Sequence, residues 1–232
     1  MNTMKHFALT ELIITLAVCV LLGCMVSAAA SVNNKKAAET MCAANLSKLG
    51  KAVFGFTADN KGYLPESGYM QDNWQRKLIP YLIGKDTTDL KKSRPFFLCP
   101  ADSNQLPTYQ RNNPSYIGKN SYCANIYVID IKGVDVNNDH VKGGQELKKL
   151  YGPDTIILLA EDHTKRNSIG QGPSVRYDKK GEYMYPEAAQ KGYHGDKNNY
   201  LMLDGAVEFD TYENTVNPYF NKWITRFVYS YF

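Results

Sequence analysis

The sequence has no block of basic residues. Its 27 Lys and Arg are scattered among 23 Asp and Glu, and the formal net charge is only +4. Chains that bind nucleic acid through a basic arm need such a block, so no nucleic acid is predicted as a partner. Internal repeats and low-complexity tracts are also missing. A length of 232 residues suits one anchor and one globular head.

Charge is missing altogether from residues 12–30. A helix needs about 20 apolar residues to cross a bilayer, so residues 7–30 are predicted to form a transmembrane segment. Lys5 precedes this segment and Glu11 lies in its first turns. An acid inside a membrane is costly unless it has a partner, which makes Glu11 a candidate functional residue. The alternative is a hydrated acid at the membrane edge.

A helical pattern continues beyond this segment. Apolar residues recur at Cys42, Leu46, Leu49, Val53 and Phe56, in steps of four and three. The pattern predicts one helix over residues 12–58, with an amphipathic half at 31–58 that needs a partner surface. The globular head then spans residues 59–232.

Short β-prone segments make up much of the head. Strands are predicted at residues 96–100, 122–131 and 155–160, with a short helix at 74–83 interrupted at Pro80. Apolar runs on both sides of Asp204-Gly205 predict a hairpin with a two-residue turn. The expected fold is α+β, with the long helix packed on an antiparallel sheet.

Five cysteines allow a disulfide if the head lies outside the cytoplasm. Cys19 and Cys24 fall in the apolar segment and are expected to act as small hydrophobic residues. We favour the pair Cys42–Cys99, which would attach the helix to the head. Cys99–Cys123 is the alternative pair, and a fully reduced set is the third possibility.

The first residues resemble a known processing signal. Residues 5–22 read KHFALTELIITLAVCVLL, in which Phe7 occupies the first mature position and Glu11 the fifth. Further matches are CAANL at 42–46, DNKGYLP at 59–65, LCPAD at 98–102, residues 157–161, and His194 followed after nine residues by Asp204-Gly205. Together they resemble type IV prepilins and type II secretion pseudopilins that carry a His-x(9)-Asp-Gly carboxy-terminal domain.

The resemblance implies a pilin-like structural subunit of a type II secretion or type IV pilus-like filament. Prepilin peptidase would remove the leader, residues 1–6, by cleaving between His6 and Phe7; His6 replaces the glycine usual in the family. Glu11 would meet the new Phe7 amine of a neighbouring subunit. The partners implied are the peptidase, other pilin or pseudopilin subunits and the bacterial inner membrane, with the head in the periplasm or outside the cell.

His194, Asp204 and Gly205 have two interpretations. His194 could serve as a base oriented by an acid. No Ser, Cys or Thr nucleophile is identifiable beside it, and the Asp-Gly turn has a sufficient structural explanation. We therefore predict that the chain is not an enzyme.

No cofactor is predicted with certainty, but two groups of residues suggest a metal. Asp135, Asn137, Asp139 and Glu146 occupy the first, third, fifth and twelfth places of a calcium-binding loop, although His140 replaces the glycine of the sixth place. An ordinary polar loop has the same composition. The second group comprises Glu161, Asp162 and His163 after a predicted strand, together with His194 and Asp196.

The aromatic tail, residues 218–232, suits docking on the protein's own sheet or a subunit contact. A rival hypothesis concerns the amino terminus. Residues 27–30 (SAAA) also resemble a signal-peptidase site. Cleavage there would release a soluble secreted binding protein or a hydrolase. Glu11 and the apolar stripe of residues 42–56 disfavour this hypothesis.

Overall fold

The computed structural model describes residues 9–65, 73–85, 89–106, 108, 112, 117–125, 129, 156–163, 168–169, 174–175, 192–217 and 220–221. The chain forms two compact units, Met1–Ala38 and Glu39–Phe232. Helix α1 comprises Leu9–Asp59. Lys61 and Gly62 follow it with φ of 56° and 87°, and the Gly62 N–H donates to the Thr57 carbonyl. This left-handed ending is a common way for a helix to stop, and glycine adopts it without steric cost.

The predicted fold class is wrong in its transmembrane half. Within the part of the chain that the structure describes, no helix combines the length and the apolar character needed to cross a membrane.

Helix α2 comprises Trp74–Ile83, and Pro80 lies inside it without interrupting it. Asn73 caps the helix, because its Oδ1 accepts from the Arg76 N–H at 3.0 Å. Trp74, Leu78 and Ile79 are buried. Each such side chain contributes about 1.5–3 kcal/mol on burial, which offsets the hydrogen bond that proline cannot make.

Residues 90–97 form a 3₁₀ helix, Leu90–Phe97, where a strand had been predicted from residue 96. The backbone oxygens of Pro95 and Leu98 do not enter a ladder, since both accept from Asn45 Nδ2, at 3.0 and 2.8 Å. Phe97 is buried against Trp74, with ring centroids 6.2 Å apart. A side chain of α1 therefore takes the place of a neighbouring strand.

The strands belong to three sheets. They are β1 Gly118–Lys119, β2 Tyr122–Asn125, β3 Ile157–Glu161, β4 Ser168–Ile169, β5 Ser174–Val175, β6 Lys197–Met202, β7 Val207–Thr211, β8 Val216–Asn217 and β9 Phe220–Asn221; a one-turn helix, α3 Tyr212–Thr215, lies between β7 and β8. The largest sheet has the order β5-β2-β3-β6-β7, while β1 pairs with β4 and β8 pairs with β9. Strands β2, β3, β6 and β7 are antiparallel, and β5 lies parallel to β2.

The predicted strand at 122–131 is shorter in the structure. Strand β2 ends at Asn125, and the Ile129 N–H donates to the Asn125 carbonyl at 2.8 Å, which is a turn. The β6–β7 hairpin is present, but its connection is longer than two residues. The Gly205 N–H donates to the Met202 carbonyl, and Gly205 alone in this turn has a positive φ, 95°. A two-residue type I′ turn would need positive φ at both central residues.

The core of the second unit lies between α1 and the sheet. Cys42, Leu46, Leu49 and Val53 are all fully buried, as the helical stripe requires. Two glycines allow α1 and the sheet to approach each other closely. A Cβ on Gly50 would lie 3.0 Å from Leu201 Cδ1, and one on Gly205 would lie 3.0 Å from Phe54 Cε2. The amphipathic half of α1 thus packs directly on β6 and on the hairpin.

A disulfide joins Cys42 of α1 to Cys99, which follows the 3₁₀ helix. Both cysteines are buried, and 57 residues separate them in sequence. Cys123 is a buried thiol outside this bond. A cross-link that closes a loop of this length removes conformational entropy from the unfolded chain.

We expect the variant Cys42→Ala/Cys99→Ala to lose about 2–5 kcal/mol of the free energy of unfolding, measured by urea denaturation. Dithiothreitol should shift the midpoint of the wild type and of the control Cys123→Ala by similar amounts. It should leave the double variant unchanged. An equal response of all three proteins would contradict a stabilising role for this bond.

Candidate functional site: a buried cluster behind the disulfide

The candidate site lies where β3 ends and β6 begins. Glu161 is the last residue of β3, and its side chain is fully buried. His194 precedes β6, and its backbone N–H donates to the Lys197 carbonyl at 3.1 Å. Gly195, with φ of 89°, lies in the turn between His194 and Lys197. The pairing of β3 with β6 brings Glu161 and His194 together across 33 positions of sequence.

Glu161 accepts three hydrogen bonds. Its Oε1 lies 3.1 Å from His194 Nε2 and accepts from Asn199 Nδ2 at 3.0 Å. Its Oε2 accepts from the Asn199 backbone N–H at 3.0 Å. A buried carboxylate is stable only with such a set of donors, so the position of Glu161 is specified by this network.

His194 contacts the disulfide as well. Its Nε2 lies 3.5 Å from Cys99 Sγ, and its side chain is 4% exposed. Both contacts involve the same ring nitrogen. A catalytic triad uses the two nitrogens of a histidine for two different partners, and its nucleophile must be a free hydroxyl or thiol. Here one ring nitrogen contacts both Glu161 and the sulfur, and that sulfur belongs to a disulfide. Neither condition is therefore met.

A second buried polar group lies next to this one. Asp102 Oδ2 is 3.1 Å from Lys119 Nζ and accepts from Ser121 Oγ at 2.8 Å. Asp102 Oδ1 accepts from the Asn104 N–H at 3.0 Å, and Asn104 Nδ2 donates to the His163 carbonyl. The carboxylate is thus paired with a cation and holds the segments on both sides of β2.

His163 lies between these two groups and is 2% exposed. Its ring stacks on Tyr193 with centroids 3.7 Å apart, and neither ring nitrogen has a hydrogen-bond partner among the residues that the structure describes. Burial lowers the pKa of His163 from 6.5 to about 3, and the nearby Glu161 opposes that shift only in part. His163 is therefore neutral at physiological pH.

The residues of the predicted His-x(9)-Asp-Gly motif have different roles in the structure. His194 belongs to the buried cluster, whereas Asp204 Oδ1 accepts from the Ala206 N–H at 2.8 Å within the hairpin turn. Glu11 is exposed in the first turn of α1. Several predicted features lie outside the described residues: His6, Phe7, the calcium-loop residues Asp135, Asn137, Asp139 and Glu146, and most of the aromatic tail.

The structure brings together a different set of potential metal ligands from the predicted one. The predicted set comprised Glu161, Asp162, His163, His194 and Asp196. Among the described residues, the His, Cys, Asp and Glu ligand atoms that come together are those of Cys42, Cys99, Glu161 and His194. Sequence reasoning missed Asn199, Asp102 and Lys119, because a buried polar residue inside or beside a strand has no distinctive local pattern. The one available signal was that the polar residues Asn198 and Asn199 directly precede the apolar run Tyr200–Met202.

No family model, curated protein or solved structure matches this chain.

We expect Glu161→Ala to lower the free energy of unfolding by about 3–5 kcal/mol, because it leaves three buried donors without their acceptor. Glu161→Gln keeps the shape and one acceptor oxygen, so it should cost less. Exposed Glu213 is the matched control, and Glu213→Ala should stay within about 0.5 kcal/mol of the wild type. Chemical denaturation measures all three. Equal effects of Glu161→Ala and Glu213→Ala would show that the network does not stabilise the fold.

His163 should make the protein less stable in mild acid. Its pKa is lower folded than unfolded, so the unfolded chain binds the extra proton between pH 6.5 and about 3, and stability falls as the pH falls through that window. From pH 7 to pH 5 the loss due to this residue should be about 2 kcal/mol. His163→Phe keeps the ring stacking and removes the titration, so it should lose about 2 kcal/mol less than the wild type over this interval. Urea denaturation at both pH values measures the difference, and parallel losses would refute the assignment.

Proposed function

We propose that this chain is a non-enzymatic structural subunit of a type II secretion or type IV pilus-like filament. The observation that carries the proposal is the exposed apolar surface of α1. Its large apolar side chains are roughly half to two-thirds exposed: Leu12, Ile13, Ile14, Leu16, Val18, Val20, Leu21, Leu22 and Met25.

These side chains surround the helix. Residues 12, 13, 14 and 16 point in different directions at 3.6 residues per turn, so no face of this segment is polar. A helix that is apolar all round is normally buried. Copies of the same segment from neighbouring subunits would provide that burial, as in a bundle at the centre of a filament.

Glu11 stands at the amino-terminal end of this apolar surface and is exposed. Inside a bundle of apolar helices its carboxylate would need a positive partner. Cleavage by prepilin peptidase between His6 and Phe7 would create an amine on Phe7. The Glu11 carboxylate of one subunit and the Phe7 amine of the next would then compensate each other.

The buried cluster of the head supports a structural role over an enzymatic one. Glu161 and His194 are occupied by internal contacts, and the nearest sulfur is in a disulfide. A disulfide between buried cysteines is also typical of proteins outside the cytoplasm. We therefore place the head in the periplasm or at the cell surface.

Crosslinking in the native cells tests assembly. Cys19 is exposed within the apolar segment and outside the disulfide, so oxidation should link the Cys19 thiols of adjacent subunits. In a Cys24→Ser background, we expect Glu11→Ala to reduce the Cys19 dimer at least tenfold on a non-reducing gel. Glu39→Ala, which removes an acid from the same helix outside the apolar segment, should leave it unchanged. Cys19→Ser should abolish it.

The intact mass and amino-terminal sequence of the same preparation complete the test. A methylated Phe7 terminus together with Glu11-dependent dimers would support the filament subunit. A Ser31 terminus in the soluble fraction would support the rival secreted protein, although α1 continues without a break through residues 30 and 31. Equal crosslinking of the wild type and Glu11→Ala would contradict pairing between Glu11 and the amine.

A further inference from the structure

We propose that the reduced form of this protein binds one Zn²⁺ through Cys42, Cys99, Glu161 and His194. The four side chains each present one ligand atom, and all four atoms lie within 4.8 Å of one another. The inference concerns the second unit alone and does not depend on the role proposed for the apolar segment of α1.

The distances already suit a tetrahedral ion. Zinc takes sulfur at about 2.3 Å and nitrogen or oxygen at about 2.0–2.2 Å, so tetrahedral ligand atoms lie about 3.3–3.8 Å apart. His194 Nε2 is 3.5 Å from Cys99 Sγ and 3.1 Å from Glu161 Oε1. The other ligand atoms lie within 4.8 Å of one another, so movements of up to about 1 Å, together with separation of the two sulfurs, would complete the coordination.

The surroundings also suit a structural zinc site. Cys42, Cys99 and Glu161 are at most 2% exposed, so the site has no open position for water. Asn199 donates two hydrogen bonds to Glu161 and thereby fixes the carboxylate. Partners of this kind orient metal ligands and affect the affinity for the metal.

The ligands come from separate parts of the second unit. Cys42 lies on α1, Cys99 follows the 3₁₀ helix, Glu161 ends β3, and His194 precedes β6. In the oxidised protein, a covalent bond joins the first two segments and hydrogen bonds join the other two to them. In the reduced protein, a zinc ion would hold all four. A disulfide would thus hold these segments together in an oxidising compartment, and a zinc ion would hold them together in a reducing one.

A dithiol is one reductant that can carry out the redox step. The S–S bond of Cys42–Cys99 breaks and two protein S–H bonds form, while the two S–H bonds of the reductant are lost and its own disulfide forms. Zn²⁺ then replaces both thiol protons, which pass to the solvent. The His194 ring proton moves from Nε2 to Nδ1, so that His194 binds through the lone pair of Nε2, and Glu161 binds as a carboxylate.

The test uses the full chain, oxidised or reduced with a phosphine, because a dithiol would itself bind zinc. Titration of Zn²⁺ by calorimetry, and of Co²⁺ by its absorption, should show one tetrahedral ion per reduced chain with sulfur-to-cobalt charge transfer. The oxidised chain and Cys42→Ser should bind at least 100-fold more weakly. Asn199→Ala should lose 10- to 100-fold in affinity.

Cys123→Ser is the matched control, because it removes a buried thiol outside the ligand group. It should bind zinc as tightly as the wild type. Equal binding by the oxidised and reduced wild type would overturn the proposal without recourse to any variant. Undiminished binding by reduced His194→Phe, with near-ultraviolet circular dichroism showing a folded chain, would also overturn it.

Discussion

Burial of one face of α1 on a small sheet is the constraint on which the second unit depends. The segment from Glu39 to Asp59 contributes four fully buried apolar side chains at helical spacing, and the same core contains side chains of β2, β3 and β6 and of α2. Two glycines, Gly50 in the helix and Gly205 in the hairpin, allow the backbones to approach closely. Larger side chains there would have to displace Leu201 or Phe54.

This burial also explains the polar interior. Once α1 covers the sheet, the ends of β3 and β6 lie out of water, and any polar side chain there needs an internal partner. Glu161 finds Asn199 and His194, and Asp102 finds Lys119 and Ser121. In the described part of the chain, the His163 ring nitrogens have no hydrogen-bond partner, and the buried ring is neutral and stacks on Tyr193. The cluster is therefore mainly a consequence of packing. While the disulfide is formed, its two sulfurs are not available for other chemistry.

Two elements that were predicted incorrectly share one physical cause. Residues 96–100 have β-prone side chains, but Asn45 of α1 binds the carbonyls of Pro95 and Leu98, and a 3₁₀ helix results. Pro80 was expected to interrupt α2, but burial of Trp74 and Leu78 keeps the helix intact. In both cases a contact with a distant segment outweighed a local preference.

The sequence by itself determined the local features: the buried stripe at Cys42, Leu46, Leu49 and Val53, the buried strand β3, and the β6–β7 hairpin with glycine at its turn. Each depends on a periodicity or a backbone requirement that a short segment carries alone. Only the tertiary structure decided that Cys99 pairs with Cys42 and that His194 meets Glu161. Those contacts join residues far apart in sequence, and the free energy that selects them arises only when packing removes water from both partners.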